Sequence, residues 1–463
     1  MSENEKLSDK LILKKKSIYD NSDELKKQRI FAFSEDYKAF LDASKTEREA
    51  TENAIELARA AGYTEYRFGD PLKAGDKRYY NNRGKSVYVF RIGSFPIDQD
   101  GIRIVAAHID SPRLDLKQVP LYEDSGMAFF KTHYYGGIKK YQWTAIPLSL
   151  HGVIIKRDGS EIKVRIGDDE GDPVFYVNDL LPHLAQEQSA KPLGSAIPGE
   201  TLNILVGGMP LKEDKEEGSV KLNVLKLLSE KYGITEEDFI SAELSCVPAF
   251  NARDIGFDRA LVGAYGHDDR VCAYPLLRSI FDTDTDRTVL GILADKEETG
   301  SIGNTGMQSM VLLDMIKAIS ESLGCSDIAV RERSMCLSAD VNAAFDPNFA
   351  DVYEKRNSAI ISCGACMSKY TGSRGKSGTS DASAEFVGYV RKIFADNGVE
   401  WQTAELGRVD LGGGGTVAAY IANLNIDTVD LGVPVISMHA PYEVVSKADI
   451  YSAYECFNAF IKS

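Results

Sequence analysis

Several short apolar runs in this 463-residue chain end on a residue able to hold a metal ion, and that recurrence constrains its fold most. "IRIVAAH" ends on His108, "SMCLSAD" on Asp340 and "VPVISMH" on His439, while "TVLGILADKEE" ends on Glu297 and Glu298. Such runs read as buried parallel strands, and in open α/β sheets ligand sites collect beyond the carboxyl ends of the strands. A further acidic pair, Asp268-Asp269, precedes the helical pattern "RVCAYPLLRSI", so one member is expected to cap that helix and the other to face a cleft. At least four carboxylates and two histidines then share one edge. Uncompensated, those carboxylates would repel one another and partly neutralise. Divalent cations resolve the conflict, and nitrogen and oxygen donors without thiolate suit zinc, manganese or cobalt.

The glutamate pair fits a division of labour. One carboxylate binds metal, while its neighbour stays free as the base that takes a proton from the attacking water. An isolated "EE" is usually a solvated face. The strand-end setting, shared with two histidines and further aspartates, reverses that expectation.

The flanks of the chain share one style and its middle differs. "REATENAIELARAAGY" carries an apolar stripe closed by Gly62, strand and helix patterns resume after about residue 249, and Ser446-x-x-Asp449 reads as a capping box for the last helix. Between about 115 and 248 the text turns β-rich, with a hairpin pattern around Asp158-Gly159 and a charged loop at 211–220. The simplest architecture is an α/β core (1–114 and 249–463) interrupted by a β-rich insertion (115–248). A net charge of −15 argues against nucleic-acid and anionic-membrane partners. No signal-peptide or membrane-spanning run is visible, and seven cysteines suit a reducing cytoplasm.

Weaker signals divide as follows. The C-x-x-C at Cys363 and Cys366 reads as structural, and "GSRGKSG" fails the phosphate-loop spacing. Four glycines at 412–415 suit a plain turn or a backbone wall against substrate equally well. His133 and His151 read as structural, His183 as packing, and His267 as a support for the cluster rather than a ligand.

"AAHIDSPRLDLK", "HDDR", "DKEETGS", "LSAD" and "SMHA", in this order, resemble the aspartyl aminopeptidase and aminopeptidase I family of dinuclear zinc exopeptidases. The resemblance implies a mixed-sheet metallopeptidase core sandwiched by helices, with the insertion as a dimerisation domain and a dodecameric assembly. It implies two zinc ions per subunit, with manganese or cobalt as substitutes. Asp268 would bridge them, His108 and Asp340 would hold one, and Glu298 and His439 the other. Glu297 would be the general base, Asp110 would hold the imidazole of His108, and Lys369 would lie on the substrate side.

The expected reaction is removal of the N-terminal residue from a peptide with a free amine. A related dinuclear deacylase and a non-catalytic peptide-binding scaffold are the alternatives. Relatives often carry histidine where this chain has Ala343 and Asp346, and Asp346 would repel an acidic side chain. Although Lys139, Lys140, Lys369 and Arg374 offer cations, neutral or basic N-terminal residues are therefore expected to be cleaved at least as well as acidic ones.

Overall fold

The apolar runs become strands of a nine-stranded mixed sheet in the computed structural model, which describes Leu7, residues 11–212 and residues 218–463. In chain order these strands are β1 (Thr64–Glu65), β2 (Lys77–Asn82), β3 (Ser86–Arg91), β4 (Arg103–His108), β5 (Val289–Ala294), β6 (Met335–Ser338), β7 (Ala365–Ser368), β8 (Trp401–Thr403) and β9 (Asp427–Gly432). Their order in space is β1-β2-β3-β5-β4-β6-β9-β7-β8. The central four, β5-β4-β6-β9, run parallel, so their carboxyl ends share one edge. Every residue of β4 and β5 is buried, as a strand covered on both faces requires. Helices Glu24–Asp42, Glu47–Ala60, His267–Asp282 and Lys447–Lys462 cover one face. Helices Val311–Ser322 and Asp327–Arg333 cover the other.

Helix Glu47–Ala60 opens with a reciprocal capping box between Thr46 and Glu49, and the chain turns beyond it at Gly62 with φ +84°. The box expected at Ser446 forms only by half. Ser446 accepts from the Ala448 N–H, but Asp449 turns into the core and accepts the N–H groups of Ser362 and Gly364 at 2.7 and 2.6 Å. Buried loop amides need an acceptor, and Asp449 serves them in place of the local cap.

A second, seven-stranded sheet lies wholly within residues 113–248. Its last strand, Ala242–Pro248, pairs with both Arg113–Asp124 and Pro147–Ile155 and closes the sheet on itself. The hairpin at Asp158-Gly159 forms, with Ile155 opposite Glu161. A separate apolar core including Phe130, Trp143 and Leu244 fills this sheet. Residues 213–217 of the expected loop at 211–220 lie outside the described residues, and helix Ser219–Tyr232 takes up its last two positions.

One strand expectation needs correcting. Pro434–Ile436 does not join the central sheet but a five-stranded one that also contains Leu261–Ala264 and Glu443–Ser446. The chain leaves β9 at Gly432, where a Cβ would meet the Asp340 carbonyl oxygen at 1.7 Å, so only glycine can make this crossing. Among the described residues, no helix is long and apolar enough to cross a membrane.

Candidate metal centre

His108 is the last residue of β4, and its register partner on β5 is Ala294. The chain beyond Ala294 turns at Lys296, with φ +67°, into a single 3₁₀ turn, Glu297–Thr299. Asp110 fixes that turn. Its carboxylate accepts the Glu297 N–H at 3.1 Å, the Glu298 N–H at 3.2 Å and the Tyr135 hydroxyl at 2.8 Å. Two adjacent glutamates can thus face one cleft because a third acid, fully buried, holds their backbone.

Asp268 lies between the two imidazoles. Its Oδ1 is 3.1 Å from His108 Nε2 and its Oδ2 is 3.2 Å from His439 Nε2. Asp340 Oδ1 stands 3.8 Å from His108 Nε2, and Glu298 Oε1 stands 3.6 Å from His439 Nε2. His108, Asp268 and Asp340 therefore converge on one point, and Asp268, Glu298 and His439 on another. Glu297 Oε2 lies 3.9 Å from His108 Nε2 with its side chain 20% exposed, against 3% for Glu298. The first glutamate opens to the cavity and the second is sunk beneath it.

Both imidazoles have a fixed tautomer. The Nδ1 of His108 is 3.0 Å from the Asp110 carbonyl, and that of His439 is 2.9 Å from the Gly137 carbonyl. A carbonyl only accepts, so each Nδ1 carries a hydrogen and each Nε2 is the nitrogen turned toward the cluster. Asp110 orients His108 mainly through its backbone oxygen, since its Oδ1 stands farther off at 3.4 Å.

The donor set fits zinc. It consists of imidazole nitrogens and carboxylate oxygens, and the buried Asp268 Oδ1 and Glu298 Oε1 make no hydrogen bond. Charge points the same way. Burial pushes Glu297 up to about 7 and drives Asp340 and Glu298 well above the usual carboxylate range. Burial alone would lower His439, but Asp268 and Glu298 raise it to about 10. Protein groups alone can hold this cluster only by keeping protons on it, and divalent cations would replace those protons.

The surrounding cavity, about 370 Å³, is also lined by Val341, Asn342, Thr371, Leu406, Met438 and the glycine run 413–415. The glycine run thus faces the cluster. No lysine or arginine lines the cavity among the described residues. Lys369 is exposed and paired with Asp381, which also holds Lys376. Asp346 does not line the cavity either. It accepts the Asn348 N–H at 2.9 Å and caps the turn Pro347–Val352, so the repulsion expected from it is absent.

His267 is not a support for the cluster. Its Nδ1 accepts from the Tyr37 hydroxyl at 2.7 Å, its Nε2 faces the Val262 carbonyl at 3.1 Å, and burial lowers it to about 3. Adjacency in sequence misled here, because consecutive residues at a helix start point in different directions. Asp269 caps no helix; it accepts the His108 backbone N–H at 3.3 Å. His183 is exposed in the turn Pro182–Leu184, away from packing. Cys363 and Cys366 are buried free thiols.

Three contributors escaped the sequence reading. Glu443 accepts the backbone N–H of His439 at 2.7 Å and of Asp268 at 3.0 Å, and burial pushes it up to about 8. Its signal was an acid opening the strand "EVVS" four residues after His439. Tyr135 and Gly137 reach in from the second sheet, and nothing in their local sequence marks them.

Comparison with known proteins bears on this arrangement. Residues 40–461 match the family model "Aminopeptidase I zinc metalloprotease (M18)". The chain is 49% identical over 462 residues to a probable M18 family aminopeptidase 1 of Clostridium acetobutylicum, covering 98% of this chain and 99% of the relative. It superimposes on the M18 aminopeptidase of Thermotoga maritima with a TM-score of 0.92, at 42% identity, covering 97% and 99% of the two chains. The yeast mApe1 dodecamer, at 20% identity, covers 94% and 97% with a TM-score of 0.75 and shares the fold. A converging set of imidazoles and carboxylates at a sheet edge, in a chain matched almost end to end, has one reading: this protein belongs to the M18 aminopeptidase I family of zinc metalloproteases and is an aminopeptidase.

Proposed function

We propose that the aminopeptidase activity uses two zinc ions per subunit, which His108, Asp340, Glu298 and His439 would hold together with the shared carboxylate of Asp268. The observation that carries this reading is the placement of its two oxygens, 3.1 and 3.2 Å from the Nε2 atoms of different histidines. His108 and Asp340 complete one half-site, and Glu298 and His439 the other. Zinc, when bound, supplies Lewis acidity toward the scissile carbonyl and acidifies water. Glu297 takes the proton of the attacking water and returns it to the leaving amine. Burial and the exposed rim position suit it to that exchange, since its carboxyl is pushed up to about 7 in the protein alone. Asp110 keeps Glu297 and Glu298 in register and orients His108.

The substrate is a peptide with a free N-terminus, and the neutral cavity wall favours uncharged N-terminal side chains. Residues 115–248 serve assembly into a homo-oligomer, a dodecamer as in the yeast relative, between catalytic parts 1–114 and 249–463. The closed sheet of this segment and its exposed Leu181, Leu184, Leu193 and Met209 support that role. It also serves the site through Tyr135 and Gly137. Seven free thiols suit a cytoplasmic setting.

Metal analysis and turnover of two variants test the assignment. Glu297→Gln should keep both metals and lose at least ~10³-fold in kcat, the scale on which losing a base acts. Glu298→Gln should lose one metal. The opposite pattern would exchange the two roles.

A further inference from the structure

Three consecutive residues of the second sheet lean on one side of the metal cluster. Tyr135 ends the strand Met127–Tyr135 opposite Arg113, and the chain continues through Gly136 to Gly137, which lines the cavity. The strand end is pinned. The Arg113 guanidinium lies over the Tyr135 ring, 4.1 Å from its centroid, and is itself paired with Asp115 at 2.8 Å and Glu47 at 3.0 Å. From this position the Tyr135 hydroxyl donates to Asp110 Oδ2, the oxygen that also accepts the Glu298 N–H.

The two glycines come closer still. At Gly136, φ is +75°, and a Cβ would stand 3.1 Å from Glu298 Oε2 and 3.3 Å from Glu298 Cβ. At Gly137 a Cβ would stand 3.3 Å from His439 Nδ1 and 3.6 Å from His439 Cε1, and the Gly137 carbonyl accepts from that same Nδ1 at 2.9 Å. Without side chains, the backbone packs directly against both residues.

These contacts are one-sided. Glu298 and His439 stand outside the strands, in the turn Glu297–Thr299 and in the link between Pro434–Ile436 and Glu443–Ser446. His108 instead closes β4, and Asp340 follows β6 by two residues. One proposed pair of ligands thus stands on the central sheet, while the other is backed by the second sheet. We infer that Tyr135, Gly136 and Gly137 form a positioning strap for Glu298 and His439, so that zinc retention in their half-site depends on where the second sheet lies. Zinc held by His108 and Asp340 does not share that dependence. The inference rests on the two-zinc reading above.

The test measures zinc affinity in the full chain by competition with a chromophoric chelator. Asp340→Asn and Glu298→Gln each isolate one half-site, and Gly137→Ala is added to both. Gly137 lies outside the left-handed region, so alanine there adds only a methyl group against the imidazole. In the Asp340→Asn background, Gly137→Ala should weaken the remaining zinc about tenfold or more, the scale on which groups behind metal ligands act. In the Glu298→Gln background the remaining zinc should hold within about twofold, because the strap does not touch its ligands. Tyr135→Phe should repeat this split through the lost hydrogen bond, and it carries the test if Gly137→Ala does not fold. Equal weakening in both backgrounds, or weakening in neither, would overturn the inference. If Asp340→Asn or Glu298→Gln alone holds other than one zinc ion, the two-zinc reading and this inference fall together; if each holds one and the affinities do not split, only this inference falls.

Discussion

Among the described residues, two groups of histidines and carboxylates balance charge in opposite ways. Around His151, Glu49 Oε1 lies 2.7 Å from Nδ1 and Asp168 Oδ2 lies 3.3 Å from Nε2, while Lys45 and Arg165 each reach Asp168 at 2.9 Å. That cluster joins the capping box of helix Glu47–Ala60 to the second sheet and carries its own cations. Around His108 and His439, the acids pair only with those two imidazoles, and no lysine or arginine contacts Asp268, Glu297, Glu298 or Asp340 among the described residues. Counting histidines beside carboxylates would flag both places. Counting the fixed cations separates them, since only the second cluster lacks charges that a metal would supply.

The sharpest way to break this contrast is to remove the proposed shared ligand, Asp268. Asp268→Ala should release both metals and reduce turnover by at least ~10³-fold, with metal content read by elemental analysis. A variant retaining two metals would mean that Asp268 does not bridge.

The self-balanced cluster should respond in stability rather than chemistry. Lys45→Met leaves Asp168 with one fewer cation in a buried setting and should cost about 3 kcal/mol in denaturant unfolding, with metal content unchanged. Metal loss in this variant would show that the two clusters are not separable.

A smaller effect follows from pH. Burial alone would lower His151, but hydrogen bonds to Asp168 and Glu49 and the charges of both raise it above its ordinary value. Its folded-state pKa therefore exceeds the unfolded one. The stabilisation is fully present below the unfolded pKa, near ~6.5, and is lost as pH rises through the raised folded value. Arg165, whose pKa is raised further by Asp168, stays charged throughout this window. Unfolding free energies of zinc-loaded wild type and His151→Gln should converge from pH 6 toward pH 9. A constant gap would mean that His151 is neutral in the fold.

The smallest effect concerns substrate choice. A cavity without lysine or arginine offers an acidic side chain no partner of its own. Catalytic efficiencies for Leu-, Lys- and Glu-terminated peptides should favour Leu by several-fold over Glu. A Glu preference above ~100-fold, about 2.7 kcal/mol, would require a cation that the cavity does not show.

The parts of this site legible in the sequence are those a single strand end can carry. His108, Asp340 and the Glu297-Glu298 pair each follow an apolar run whose length and burial fix where it stops. His439 looked equivalent, yet its strand belongs to another sheet, because the exit at Gly432 depends on the distant Asp340 backbone. His267 was misread for the complementary reason: its partners, Tyr37 and Val262, are set by helix packing and not by its neighbour Asp268. Glu443, Tyr135 and Gly137 act through backbone and second-sheet contacts made between residues far apart in the chain. The change of style between 115 and 248 was visible, but the reach of Tyr135 and Gly137 into the cleft was not.

Glu443 has one more implication. It accepts N–H groups from Asp268 and His439 together, residues 171 positions apart that we assign to the bridge and to one half-site. A single acid outside the proposed ligand set therefore acts as a spacer gauge between these two residues. Evolution could retune the separation between bridge and imidazole, and with it the choice among ions of different radius, by changing this one side chain while every donor atom stays in place.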